Sequence, residues 1–211
     1  KEIRAKIRKA CEAADSLRTA NSASKDLALR KFASLLEERR DCLLDCNSLD
    51  LKEARQSGLD ESALGRLKLD SSKISELSRM VRAVSKLEDP VGKEFDFMEM
   101  DSGLVRHLIR VPLGVVGVVF EARPDALCQI ASLAIKAGNS AVLKGGREAR
   151  NSNLAFARIF QEALSSSGLP KDSLILLDSR EELQAMLSCD KEIALIIVRG
   201  SYETVRSISS S

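Results

Sequence analysis

Residues 115–144 read VVGVVFEARPDALCQIASLAIKAGNSAVLK. Val115 to Phe120 is an apolar run of strand length, and the segment from about Asp125 to Ala137 has the length and spacing of a helix that Gly138 closes. Ser140 to Lys144 is a second apolar strand. The alternation continues downstream with a helix from about Glu148 to Ser167 closed by Gly168, a strand Leu174 to Leu177, a helix Arg180 to Leu187, a strand Ile193 to Val198 and a helix from Ser201. Short apolar strands separated by helices predict a parallel sheet covered on both faces, a doubly wound, Rossmann-like α/β domain over residues 112–211.

Upstream the period changes. Phe95 to Met100 and Leu104 to Pro112 read as two strands joined around Asp101-Ser102-Gly103, so residues 94–111 are expected to form a β-hairpin. Residues 1–93 carry helical periodicity and are expected to pack on the α/β domain. Ala28, Phe32, Leu35, Leu36 and Leu43 make one apolar face, with Gly58 as the stop. A short helix is predicted over Glu61 to Leu67. Asp70 is the expected N-cap of another, with Ile74, Leu77, Val81 and Val84 as its stripe and Asp89-Pro90 as its end.

Composition limits the function classes. The chain has 211 residues, 44% hydrophobic and 30% charged, which suits a globular protein with a real core. Its 33 Lys and Arg against 31 Asp and Glu give a formal charge of +2, too weak a field to argue for nucleic acid or anionic lipid. Aromatic residues are 3% and Trp is absent, which also speaks against base stacking. No apolar run reaches membrane-spanning length, and the charged amphipathic start is not a secretory signal. Five cysteines without scaffold or metal spacing fit a reducing compartment, and a cytoplasmic location is expected. Because the sequence begins at Lys1 and ends within a predicted helix, it is expected to be a fragment.

Ligands of such sheets bind outside the carboxyl ends of the strands. Three junctions there carry chemistry. Glu121-Ala122-Arg123-Pro124-Asp125 places a carboxylate and a guanidinium after the first strand, and the plainer alternative is an ion pair capping the helix. Lys144-Gly145-Gly146-Arg147-Glu148 offers a glycine pair that lets a ligand approach the backbone, flanked by two cations at a helix N-terminus; the alternative is a tight turn with solvated charges. Arg199-Gly200-Ser201 repeats the arrangement, with Ser201 as an ordinary N-cap in the bland reading. His107, Cys128 and the Cys42/Cys46 pair lack the neighbours that a metal or catalytic site needs, so no nucleophile and no metal site is assigned.

VPLGVVGVVFEARPDALCQIASLAIKAGNSAVLKGGREARNSN, Val111 to Asn153, resembles the signature of the gamma-glutamyl phosphate reductases (glutamate-5-semialdehyde dehydrogenases) of the aldehyde dehydrogenase superfamily. The likeness extends through Asn47 to Asp70, Met80 to Lys93 and LIIVRGSYETVRSI. FEARPDALCQIASLAI and KGGREARNSN are particularly similar to the reductase half of bifunctional pyrroline-5-carboxylate synthases.

The resemblance implies NADPH-dependent reduction of gamma-glutamyl phosphate to glutamate-5-semialdehyde in proline biosynthesis, through a thioester on a Cys of a C-N-A-x-E motif. That motif lies in a second, catalytic domain beyond Ser211. Lys144, Gly145, Gly146 and Arg147 are then expected on the adenosine ribose and 2′-phosphate, Gly200 and Ser201 at the pyrophosphate, and Glu121 and Arg123 toward the substrate. The 94–111 hairpin is similar to the arm that bridges subunits in the superfamily, so a homo-oligomer is expected of the intact protein, with glutamate 5-kinase or a fused kinase domain as a partner. The chain alone is expected to bind NADPH weakly or not at all and not to catalyse. The alternative is a naturally truncated, non-catalytic homologue that binds nucleotide or pairs with a full-length subunit.

Overall fold

A computed structural model describes residues 2–101, 103–121, 123–200 and 202–209. The chain opens with helices α1 (Glu2–Arg18), α2 (Ser22–Glu38), α3 (Arg40–Gln56), α4 (Glu61–Leu67) and α5 (Ser71–Ser85). Local side chains start three of them, α2, α4 and α5. Asn21, Asp60 and Asp70 each accept a backbone N–H three residues on, at 2.8, 2.7 and 2.8 Å, satisfying donors that a helix end leaves open. The stripe Ile74, Leu77, Val81 and Val84 is buried as expected. The Phe32–Leu43 stripe belongs to two helices, because the chain breaks at Arg39. Leu36 and Leu43 are seven residues apart, two helical turns, so the periodicity runs across the break unaltered.

Strands β1 (Glu94–Glu99) and β2 (Val105–Ile109) pair antiparallel, every residue of both exposed. Ser102 of the expected turn lies outside the described residues. The hairpin projects Phe95, Phe97, Met98, Leu108 and Ile109 into solvent.

The second sheet is parallel: β3 (Val115–Phe120), β4 (Ser140–Lys144), β5 (Leu174–Leu177) and β6 (Leu195–Arg199), in the order β5-β4-β3-β6. Helices α6 (Asp125–Lys136), α7 (Arg150–Ser165) and α8 (Arg180–Leu187) connect successive strands, and α9 (Tyr202–Ser209) follows β6. A 3₁₀ turn, Arg147–Ala149, replaces the predicted first turn of α7. The last strand begins at Leu195 rather than Ile193, which is buried beside it.

The period-2 alternation of the strands divides the core. Val116, Val118, Phe120, Ala141 and Leu143 face α6 and α7, and that layer is shared with α2 and α5. Val115, Val119, Val142, Ile175 and Leu177 face the other way, onto Ile7, Ala10 and Ala14 of α1 and Met186 of α8. Gly138 ends α6 at φ +75°, and a β-carbon there would fall 2.8 Å from Pro112 Cγ, so both conformation and space demand glycine. Among the described residues no helix is long and apolar enough to cross a membrane.

Candidate functional site

A groove of about 1030 Å³ runs along the carboxyl ends of β3, β4 and β5. Its walls are Val119 to Glu121, Lys144 to Glu148, Arg150 and the Asp178–Glu181 start of α8. Leu59, after α3, and Ile208 of α9 close the sides.

Lys144 is the last residue of β4, and the strand carries its side chain to the sheet edge largely shielded from water. Nζ donates to Gly145 O at 2.6 Å. Burial lowers the ammonium's pKa, against the opposing pull of Asp178, Glu148 and Glu182. Gly145 is glycine because a β-carbon would collide with Asn153 Nδ2 and sit 3.2 Å from Phe120. At Gly146 a β-carbon would meet only the carboxylate at the end of the Glu148 side chain. Arg147 is exposed on the groove's rim.

Helix α7 starts behind this turn, and its N-terminus is already occupied. Asp50, buried on α3, accepts the backbone N–H groups of Asn151 and Ser152 at 2.9 and 2.8 Å, and also Asn151 Nδ2 and Ser152 Oγ at 2.9 and 2.6 Å. One turn earlier, Asn47 donates to Leu67 O and Ser152 Oγ and accepts Leu69 N–H. The expectation of a helix N-terminus open to an anion beside Lys144 is therefore corrected: Asp50 takes those donors and their partial charge. Positive charge in the groove comes from side chains instead.

On the β5 side, Arg150 holds Asp178 in a two-pronged pair, with Nε at 2.7 Å and Nη2 at 2.5 Å. That hydrogen bond keeps the Asp178 carboxyl below its ordinary pKa. Ser179 and Glu182 form a capping box at the start of α8, and Lys6 of α1 pairs with Glu182 at 2.7 Å.

The structure brings together Glu121, Lys144, Gly145, Gly146 and Arg147 in one groove. Arg123 is not among the groove's walls; its guanidinium lies 2.9 Å from the buried Asp125 carboxylate. Gly200 follows Arg199, which pairs with Phe120, so it stands level with Glu121 on the adjacent strand. Ser201 lies outside the described residues. His107 pairs with Glu94 on the hairpin, and Cys128 is buried, its thiol pushed well up by burial and by Asp125. The Asp178–Ser179 wall is not among the three junctions that the sequence points to. The Ser179-x-x-Glu182 spacing is the signal that could have found it.

A doubly wound sheet with its groove at the strands' carboxyl ends is shared by many proteins, and the sequence narrows it. All of residues 1–211 match the aldehyde dehydrogenase family. The chain belongs to that family. Within the aldehyde dehydrogenases it is 45% identical over 197 residues to a gamma-glutamyl phosphate reductase from Acetivibrio thermocellus, an alignment covering 93% of this chain and 46% of the relative. The crystal structure of the gamma-glutamyl phosphate reductase from Thermotoga maritima superposes with a TM-score of 0.94 at 34% identity, over 100% of this chain and 51% of that one. The corresponding protein from Saccharomyces cerevisiae gives 0.92 at 32% identity, over 99% and 53%. The chain spans about half the length of the relatives it matches.

Proposed function

We propose that this chain is the NADP-binding half of a gamma-glutamyl phosphate reductase, which reduces gamma-glutamyl phosphate to glutamate-5-semialdehyde and phosphate in proline biosynthesis. The 45% identity to proteins of that name carries the reading. The groove supports it: a dinucleotide's adenosine end needs a backbone that can be approached and donors for its hydroxyls, and Gly145, Gly146 and the shielded Lys144 supply both. The cofactor supplies hydride when bound.

Each residue then has a task. Lys144 donates to ribose hydroxyls, its poorly hydrated surroundings strengthening the bond. Arg147 neutralises a 2′-phosphate, the physical reason for NADP over NAD. Glu148 on Gly146 repels an anion at that spot, which leaves the phosphate to the Arg147 side of the turn. Gly200 and Ser201 are proposed for the pyrophosphate, and Glu121 and Arg123 for the substrate side, where Arg123 must leave Asp125 to act. The division at residues 93 and 111, a cytoplasmic location, self-association through the hairpin and a kinase partner belong to the same proposal.

Nicotinamide fluorescence with NADPH and NADH, titrated against the chain, tests it. NADPH is expected to bind weakly but better than NADH, and Arg147→Glu to remove the difference. Equal binding of the two by the unaltered chain would end the NADP assignment.

A further inference from the structure

The thiols are nucleophilic groups that the nucleotide groove leaves unused, and two of them share one helix face. Cys42 and Cys46 lie one turn apart on α3, Cys42 exposed and Cys46 half-buried. Both line a second groove, of about 610 Å³, between α3 and α7, together with Leu154, Ala155 and Arg158 of α7. The Cys46 thiol is pushed up by burial and, next, by the Cys42 thiol, so the two sulfurs lie within reach of one another.

Helix geometry limits what such a pair can do. Residues four apart on a helix keep their β-carbons about 5–6 Å apart. A disulfide needs roughly 3.5–4.5 Å, so an S–S bond between these two would strain the helix. One atom inserted between the sulfurs removes the mismatch. Zinc and iron–sulfur clusters ask for more ligands, and among the described residues no group of three or more His, Cys, Asp or Glu could complete such a site. A soft monovalent ion differs. Thiolates select Cu(I), a closed-shell ion that is stable with two of them. The resulting complex carries a single net negative charge, which the guanidinium of Arg158 in the same groove can offset.

We propose that Cys42 and Cys46 form a two-coordinate site for Cu(I). Each thiol gives up its proton as its sulfur binds, so one Cu(I) enters and two protons leave, with no change of oxidation state. The site is independent of the nucleotide reading.

Cu(I) is titrated anaerobically into the reduced chain in competition with bicinchoninate, a chromophoric Cu(I) chelator, and likewise into the Cys42→Ser, Cys46→Ser and Cys11→Ser variants. The unaltered chain and Cys11→Ser are expected to hold one Cu(I) with the same affinity and to show thiolate-to-copper absorption in the ultraviolet. Losing either thiol of the pair turns chelation into single-point binding, so Cys42→Ser and Cys46→Ser should each bind roughly 10²–10⁴-fold more weakly. Cys42 is exposed, so its serine variant should keep the fold, which circular dichroism checks. That variant decides if Cys46→Ser does not fold. Unaltered affinity in Cys42→Ser, or a loss of affinity in Cys11→Ser, would overturn the proposal, as would an unaltered chain that takes no Cu(I) from the competitor.

Discussion

Asp50 Oδ2 accepts both the backbone N–H and the hydroxyl of Ser152, at 2.8 and 2.6 Å, although 102 positions separate the two residues. A helix ordinarily finds its N-cap in the preceding residue. Here Ala149, the residue before α7, makes no side-chain cap, and α3 supplies one from outside. Asp50→Ala is expected to cost roughly 2–4 kcal/mol, since it takes the acceptor from one buried and one partly buried N–H group and from a buried hydroxyl. Asp50→Asn, which keeps one accepting oxygen, should cost less. Urea denaturation of the two variants measures the difference.

The two glycines after β4 are predicted to respond differently to alanine. At Gly145 the new methyl meets Asn153 and Phe120 inside the core, and a loss of about 1–3 kcal/mol is expected from overpacking. At Gly146 it meets only the end of the Glu148 side chain, which can swing away, so the change should stay within about 0.5 kcal/mol. Equal losses in thermal unfolding would contradict this account of the turn.

Lys25, fully buried on α2, lies 2.6 Å from Asp89. Burial works to raise the Asp89 pKa, but the ion pair with Lys25 and the hydrogen bond from Val91 N–H bring it below its ordinary 3.8. With the folded value below the unfolded one, the stability Asp89 contributes is complete above about pH 4 and fades as pH falls through the folded value. Asp89→Asn should therefore destabilise by roughly 3–5 kcal/mol at pH 7, leaving Lys25 without its counter-charge, and by somewhat less at pH 3. The Lys25→Met, Asp89→Leu double variant should recover most of the loss. Denaturation at the two pH values provides the check.

If the hairpin joins subunits as proposed, charge on it should separate them. Phe97→Glu with Leu108→Glu alters one exposed apolar residue on each strand and no core residue. Light scattering should show a shift to smaller species with an unchanged thermal midpoint. A monomeric parent chain would rule out self-association through this arm.

The strands and helices after Val115 were legible because each is short, locally patterned and punctuated by glycine. Gly138 and Gly168 both stand at positive φ where the sequence ends a helix. The Arg39 break was hidden because the apolar repeat keeps phase through it. The groove's β4 side could be read from Lys144-Gly145-Gly146, whose composition is unusual after a strand. Its supports could not. Asp50, Asn47 and Asn153 act across the chain or through a fold-dependent contact, and nothing in their local sequence shows which N–H or Cα they will meet. The ion pair of Arg123 with Asp125, two residues on, could be read from the local sequence as readily as a ligand contact.

Lys6 meets Glu182 across 176 positions of chain, and the face of α1 that carries Ile7, Ala10 and Ala14 has its partners on β3, β4, β5 and α8. During synthesis α1 leaves the ribosome ahead of every element it packs on, and the surface it needs is complete only when residues beyond 180 have emerged. Helices α2 to α5 can find one another much sooner. Helix α1 should therefore wait with an unsatisfied apolar stripe while the residues up to about 180 are made, dock late, and be more open to chaperones than α2 to α5.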